Sequence, residues 1–247
     1  MQWTADALII GTRAHGESSA IIDVFSREHG HSAGLVRGGN SRRLRPVLQP
    51  GNMAQVTWRA RLSEHLGTFS VDAGRAFAAE SLSDPLLLAG VSSVCALLQV
   101  TPERQAYPRL YDTVMVLFEE LGEADIWLPL LVRFELALLE EVGFGLDLSS
   151  CAATGKTENL THVSPRSGRA VCHEAAQPYL EQLFALPRFL REPQAETTYA
   201  EVMAGFALTG HFLERRVYAP HQMSLPPARQ RLMNNINRLM KNELEGS

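Results

Sequence analysis

Six arginines dominate the chemistry this sequence can offer. Arg37, Arg42, Arg43, Arg45, Arg59 and Arg61 all fall in the stretch GLVRGGNSRRLRPVLQPGNMAQVTWRAR, and no Asp or Glu occurs from His29 to Ser63. A guanidinium is planar, permanently charged and carries five N–H donors, a set that fits phosphate oxygens two at a time. The chain as a whole carries a net charge of −4, so a cluster of the opposite sign points to a polyanionic partner. The charge is also unevenly divided. Residues 1–80 hold 9 Lys and Arg against 7 Asp and Glu, whereas residues 81–247 hold 14 against 20. That division assigns contact with nucleic acid to the first part.

Other chemistries have weaker support. The eight histidines are scattered, and neither an HExxH pair nor a phosphate-binding loop ending in Gly-Lys-Ser/Thr occurs. The pairs Glu119-Glu120 and Glu140-Glu141 are adjacent on expected helices, so their side chains point to different faces. No catalytic residues are assigned, and the protein is expected not to be an enzyme. Arg133 is one charge within the apolar run LLVRFEL. Its stem can lie on the core while its head reaches water or an acid; alternatively it can grip a partner's carboxylate beside an apolar groove. Cys151 and Cys172 flank a turn-rich segment, but Thr154 and Arg169 stand where a pair of Cys-x2-Cys knuckles would need cysteine. Two sulfurs do not complete a tetrahedral zinc site, so a metal-free hairpin without cofactor is expected.

The elements that must position these residues read as strands first and helices later. Ala7–Arg13, Ala20–Ser26, Ser32–Arg37, Met53–Arg61 and Leu66–Ala73 have strand character, with turn residues between them. Gly38-Gly39-Asn40-Ser41 reads as a flexible turn ahead of the arginines. In the fourth strand Ala54, Val56, Trp58 and Ala60 share one face, and Gln55, Thr57, Arg59 and Arg61 the other. Trp58 between Thr57 and Arg59 invites a base-stacking role, but its parity places it in the interior. Five short strands with the longest insertion between the third and fourth suit a small closed barrel of the OB type.

From Asp84-Pro85, a good helix start, the sequence turns helical. Helices are expected over Leu86–Val100, Arg104–Leu121, Ile126–Val142, Glu174–Ala185, Thr197–Val217 and Pro227–Leu244, interrupted by the polar hairpin at 149–172. The fold class is therefore α+β, with a barrel over 1–80 and a helical domain over 81–247. No apolar run reaches the ~20 residues of a membrane span. Three cysteines and no recognisable signal peptide suit a reducing cytoplasmic setting.

Three blocks of residues resemble a known family. They are ALIIGTRAHGESSAIIDVFSREHG with GLVRGGNSRRLRPVLQPGN; RFELALLEEVGFGLDL followed by Cys151; and the hairpin containing Gly155 and Ser167-Gly168. The pattern resembles the RecO family of bacterial recombination mediators, over most of residues 1–175. The resemblance implies an OB barrel followed by helices, binding of single- and double-stranded DNA, and annealing of complementary strands. It further implies help in loading recombinase onto strands coated by single-strand-binding protein, with RecR as a partner. The family's basic residues in this region match Arg37, Arg42, Arg43, Arg45 and Arg59. Its tail-binding arginine, which receives the acidic carboxy-terminal tail of single-strand-binding protein, matches Arg133. Many members carry four zinc-binding cysteines where this chain keeps only Cys151 and Cys172. A second reading is a protein–protein adaptor whose barrel takes an acidic partner segment instead of DNA.

Overall fold

The computed structural model describes residues 1–62, 64–192, 195 and 197–246, with side chains described as far as Asn242. It divides into two compact units, Met1–Glu119 and Glu120–Ser247. In the first unit, β1 (Gln2–His15), β2 (Ser19–Ser26), β3 (Gly30–Val36), β4 (Met53–Arg59) and β5 (Thr68–Ala73) form a closed barrel. The order around it is β1-β2-β3-β5-β4, in which β3 and β5 meet in parallel at Leu35 and Thr68. This is the five-stranded OB-type barrel expected from the sequence.

β1 starts five residues earlier than its apolar run suggested. Residues Gln2 to Leu8 pair with β4 and Ala7 to His15 pair with β2, with a register shift between Ile9 and Gly11. One strand thus serves two neighbours, which is how so few strands close a barrel. Trp3 and Ala5 face inward while Gln2, Thr4 and Asp6 are exposed, an alternation too short to stand out in the sequence. Ile9, Ile22, Val24, Val36, Val56, Trp58 and Phe69 fill the interior. Trp58 is 5% exposed, and its indole N–H donates to the Leu66 carbonyl at 3.0 Å. The interior position read from strand parity holds.

Strand gives way to helix between Ala73 and Phe77, yet the compact unit runs on to Glu119. Its three helices are α1 (Phe77–Ser81), α2 (Pro85–Leu98) and α3 (Pro108–Glu119). Asp84 caps α2 by accepting the Leu86 N–H at 2.7 Å, with Pro85 behind it. Beyond the last turn of α2, Gln99 donates its side-chain amide to the Ile10 carbonyl at 2.8 Å. These helices close over the barrel, so packing divides the chain at 119/120 while secondary structure changes near 75.

A buried histidine ties the barrel to the segment after α2. His31 is 7% exposed; its Nδ1 lies 3.1 Å from the Thr101 carbonyl and its Nε2 3.5 Å from Asp23 Oδ1. Burial opposes the charged imidazolium, but the Asp23 carboxylate and Thr101 carbonyl outweigh it and raise the His31 pKa above its ordinary value. The charged form therefore stabilises the fold fully below about 6.5, the unfolded value, and the contribution fades as pH rises through the folded value. The thermal midpoint of the wild type relative to His31→Gln is expected to fall as pH is raised from about 6 to 9. A difference that is flat or grows with pH would contradict the assignment.

The second unit is built on α4 (Ala124–Glu141), which is buried on most faces through Trp127, Leu131, Val132, Phe134, Leu138 and Leu139. Strands β6 (Leu160–Val163) and β7 (Ala170–Cys172) follow, then α5 (His173–Ala176), a 3-10 turn at Gln177–Gln182 and β8 (Phe184–Ala185). The three strands make a sheet in the order β7-β6-β8, so the helix expected at 174–185 is a short helix, a turn and a strand instead. Pro178 near the start and the exposed Tyr179 and Leu180 leave no apolar face to sustain a longer helix. α6 (Tyr199–Phe212) continues into a π-helical turn at Leu213–Tyr218, and α7 (Pro227–Gly246) ends the chain. Two glycines let α6 pack closely. A Cβ at Gly205 would lie 2.8 Å from Val132, and one at Gly210 would lie 2.8 Å from the Arg229 guanidinium.

In the hairpin, the Cys172 N–H donates to Cys151 Sγ at 3.3 Å, and Thr154 Oγ1 lies 3.6 Å from Cys172 Sγ. Burial pushes the Cys151 thiol up, but the Thr154 hydroxyl and nearby backbone N–H groups bring it down to about 6. Arg169 is held by Asp147 at 3.2 Å. Among the described residues no three His, Cys, Asp or Glu side chains converge as metal ligands. The donor set does not fit the four nitrogen or sulfur ligands of a structural zinc.

Candidate nucleic-acid interface

The arginine loop between β3 and β4 opens with the turn expected at Gly38-Gly39-Asn40-Ser41 and continues as a hydrogen-bonded, amphipathic piece of chain. Gly39 N–H bonds the Val36 carbonyl at 3.2 Å, Asn40 N–H the Ser18 carbonyl at 3.0 Å and Ser41 N–H the Gly38 carbonyl at 2.9 Å. Helical turns follow, with Arg45 N–H to the Ser41 carbonyl at 3.0 Å and Leu48 N–H to the Leu44 carbonyl at 2.9 Å. Ser41 Oγ takes the Leu44 N–H at 3.3 Å, in the manner of an N-cap. Leu44 and Leu48, four residues apart, point the same way and pack on the barrel core, Leu48 being 1% exposed. Thr12 Oγ1 donates to the Leu48 carbonyl, and the Asn52 side-chain amide holds the Pro46 carbonyl at 2.9 Å. Arg37, Arg42, Arg43 and Arg45 are left on the outer surface, all exposed. Among the described residues none of the four has a carboxylate partner. The sequence signal for this order was the serine cap followed by the Leu44–Leu48 spacing.

The other two arginines lie on and after β4. Arg59 is its last residue, about 20 Å along the strand from Met53, and Arg61 stands two residues further on, both exposed. Arg59 Nε donates to Gln2 Oε1 at 3.0 Å across the β1–β4 pair. The sheet face along β4 can be read from its register. Arg59 is flanked by Gln2 and Thr68, Thr57 by Thr4 and Ser70, and Gln55 by Asp6 and Asp72. Asp6 and Asp72 are exposed near the start of β4. Leu35, near the end of β3, pairs instead with Thr68, the neighbour of Arg59, so the closure of the barrel brings the start of the arginine loop toward Arg59.

The sequence reading passed over Trp3. Its ring stacks on His29, with centroids 4.1 Å apart, and lies 6.0 Å from Trp58. No motif marks it, because its partner is brought near only by barrel closure.

In the second unit Arg133 is half-buried and donates through Nη2 to the Phe189 carbonyl. Among the described residues no acid pairs with it. It stands one turn beyond Pro129, which with Leu128, Tyr199 and Val202 lines a groove of about 130 Å³ between the first turns of α4 and α6. The groove's walls also include Asp125, Thr197 and Thr198 and do not include Arg133 itself. With one donor on the Phe189 carbonyl, the Arg133 guanidinium has donors left for a carboxylate.

Family models described as the N terminal and C terminal parts of Recombination protein O match residues 1–73 and 82–226. DNA repair protein RecO of Rhodospirillum centenum is 48% identical over 241 residues, covering 96% of each chain. DNA repair protein RecO of Beijerinckia indica is 50% identical over 231 residues, 93% of this chain and 92% of its own. DNA repair protein RecO of Bartonella quintana is 45% identical over 239 residues, 96% and 98% respectively. With both family models matched in order and relatives this similar along nearly the whole chain, the protein belongs to the RecO family.

Proposed function

We propose that this protein is a DNA repair and recombination mediator acting without catalytic turnover. It binds single- and double-stranded DNA through the barrel arginines, anneals complementary strands and helps load recombinase onto strands coated by single-strand-binding protein. The observation that carries the reading is the built loop. Ser41 to Leu48 is folded and anchored, and it presents Arg42, Arg43 and Arg45 without carboxylate partners. Exposed charges with no acid of their own, carried on a folded backbone, exchange counterions for phosphates with little backbone ordering cost. Fluorescence anisotropy of a labelled single strand tests it directly, with polyglutamate as competitor. Tight, salt-sensitive DNA binding that polyglutamate displaces poorly supports the proposal. Preference for the acidic peptide would make the protein an adaptor.

The relatives are DNA repair proteins by name, which supports the repair role. RecR and single-strand-binding protein are proposed as partners, the acidic tail of the latter docking at Arg133. Arg133→Ala should weaken binding of a peptide with that tail's carboxylate terminus by about 1.5–3 kcal/mol. Its affinity for naked DNA should be unchanged. Equal loss of both activities would mean that Arg133 supports the fold through the Phe189 carbonyl instead.

A further inference from the structure

The barrel end that carries Arg59 also holds a small aromatic cavity. It measures about 190 Å³, and its walls include Trp3, His29, Trp58, Glu28, Ser32 and Arg104. That is smaller than the roughly 300–1,000 Å³ of sites for drug-sized molecules, and suits one planar ring system. Three of its walls are already arranged as a stack. The Trp3 ring is tilted 22° from His29 and 17° from Trp58, so the three rings lie nearly parallel. Trp58 is sealed in the core, whereas Trp3 and His29 remain half-exposed. An aromatic stack that stops at a cavity offers a face to another flat ring.

The polar groups around it are placed for the rest of a nucleotide. Arg104 is an exposed residue with φ of +64°, in the left-handed region that arginine seldom occupies. It is held there by its own N–H to the His31 carbonyl at 2.7 Å and by Nη2 to the His65 carbonyl at 2.9 Å. Backbone strain of this kind persists only where surrounding contacts over-determine it, and it is common at ligand clamps. Arg59 lies beside the cavity through its bond to Gln2. Glu28 supplies a carboxylate able to bond the edge of a base, while the Ser32 hydroxyl, which donates to the His29 carbonyl at 3.3 Å, keeps its oxygen as an acceptor.

We infer that this cavity receives one unstacked nucleobase of single-stranded DNA, with His29 and Trp3 as its stacking face and Arg59 and Arg104 toward its flanking phosphates. The inference rests on the DNA-binding reading and adds a contact that the loop arginines cannot supply. A paired base in a duplex presents no free face to the cavity, so the site favours single strands.

The test compares an oligothymidylate with an abasic oligonucleotide of equal length, which keeps the phosphates and removes the bases. The full-length wild type should bind the thymidylate about tenfold more tightly, and only the thymidylate should quench tryptophan emission. His29→Ala should lower thymidylate affinity to the abasic level and leave the salt slope unchanged, while His29→Phe, which keeps a ring, should retain the preference. Equal wild-type affinity for the two oligonucleotides, with the arginine-dependent salt slope intact, overturns the base site and leaves the arginine reading standing. Failure to bind either one overturns both. A preference for thymidylate that survives in His29→Ala also overturns the site.

Discussion

Replacing Arg229 by alanine is expected to destabilise the 120–247 unit by about 3–5 kcal/mol. Arg229 and Glu135 form a fully interior pair, their side chains 8% and 2% exposed. Arg229 Nε meets Glu135 Oε1 at 2.7 Å and Nη2 meets Oε2 at 2.9 Å, a two-pronged contact between α7 and α4. Nη2 also reaches the Phe206 carbonyl at 2.7 Å, and the Thr209 hydroxyl donates to Glu135, which brings α6 into the same network. Gly210 makes room for the guanidinium. The large effect comes from what the truncation leaves behind, a carboxylate buried with only one hydroxyl to solvate it. With total stabilities of about 5–15 kcal/mol, such a loss brings the unit close to unfolding. Urea denaturation measures it. The double variant Glu135→Leu with Arg229→Met removes both charges and should recover most of the lost stability. Equal destabilisation by the single and double variants would show that packing, and not the orphaned charge, sets the cost.

The second large effect concerns DNA. Replacing Arg42 and Arg43 by alanine should reduce the slope of log K against log salt by about 1.4 for single strands, at about 0.7 per phosphate contact. Because this electrostatic contribution vanishes toward 1 M salt, the same change lowers affinity at about 0.1 M salt roughly 25-fold. Neither side chain contributes to the loop's hydrogen bonds or to its Leu44 and Leu48 anchors, so the loss reports charge and not unfolding. Lysine at both positions should restore most of the slope, since a point charge suffices for phosphate. The loss should be similar for every base sequence. A parental slope in the double alanine variant, or losses that depend strongly on sequence, would mean that the loop binds something other than DNA backbone.

Much of the fold was legible because its signals are local. The Gly and Asn turns, the alternation from Ala54 to Trp58 and the Asp84-Pro85 cap each fix a short piece of chain, and the barrel follows from their order. The cationic loop was legible too, because charge is a property of composition. Its helical turns left a local signal in the Ser41 cap and the Leu44–Leu48 spacing, but their seat on the barrel did not, since that core is assembled from distant strands. Nor could the approach of the loop's start to Arg59 be read, because it comes from the pairing of β3 with β5 at barrel closure. The two carboxylates beside Gln55 come from β1 and β5, brought alongside β4 only by barrel closure. The Glu135–Arg229 pair, 94 residues apart, and the Trp3–His29 stack leave no local trace for the same reason. Arg133 stood out as a charge in an apolar helix, but its bond to the Phe189 carbonyl is a tertiary contact.

The central claim is that this barrel brings DNA strands together by neutralising their phosphates. Annealing of two complementary oligonucleotides, followed by fluorescence energy transfer with the purified full-length protein, tests it most directly. The wild type should accelerate annealing strongly at low salt and progressively less as salt rises, and Arg42→Ala with Arg43→Ala should lose most of the acceleration at every salt concentration. No acceleration by the wild type, or acceleration that the double variant retains in full, would contradict it.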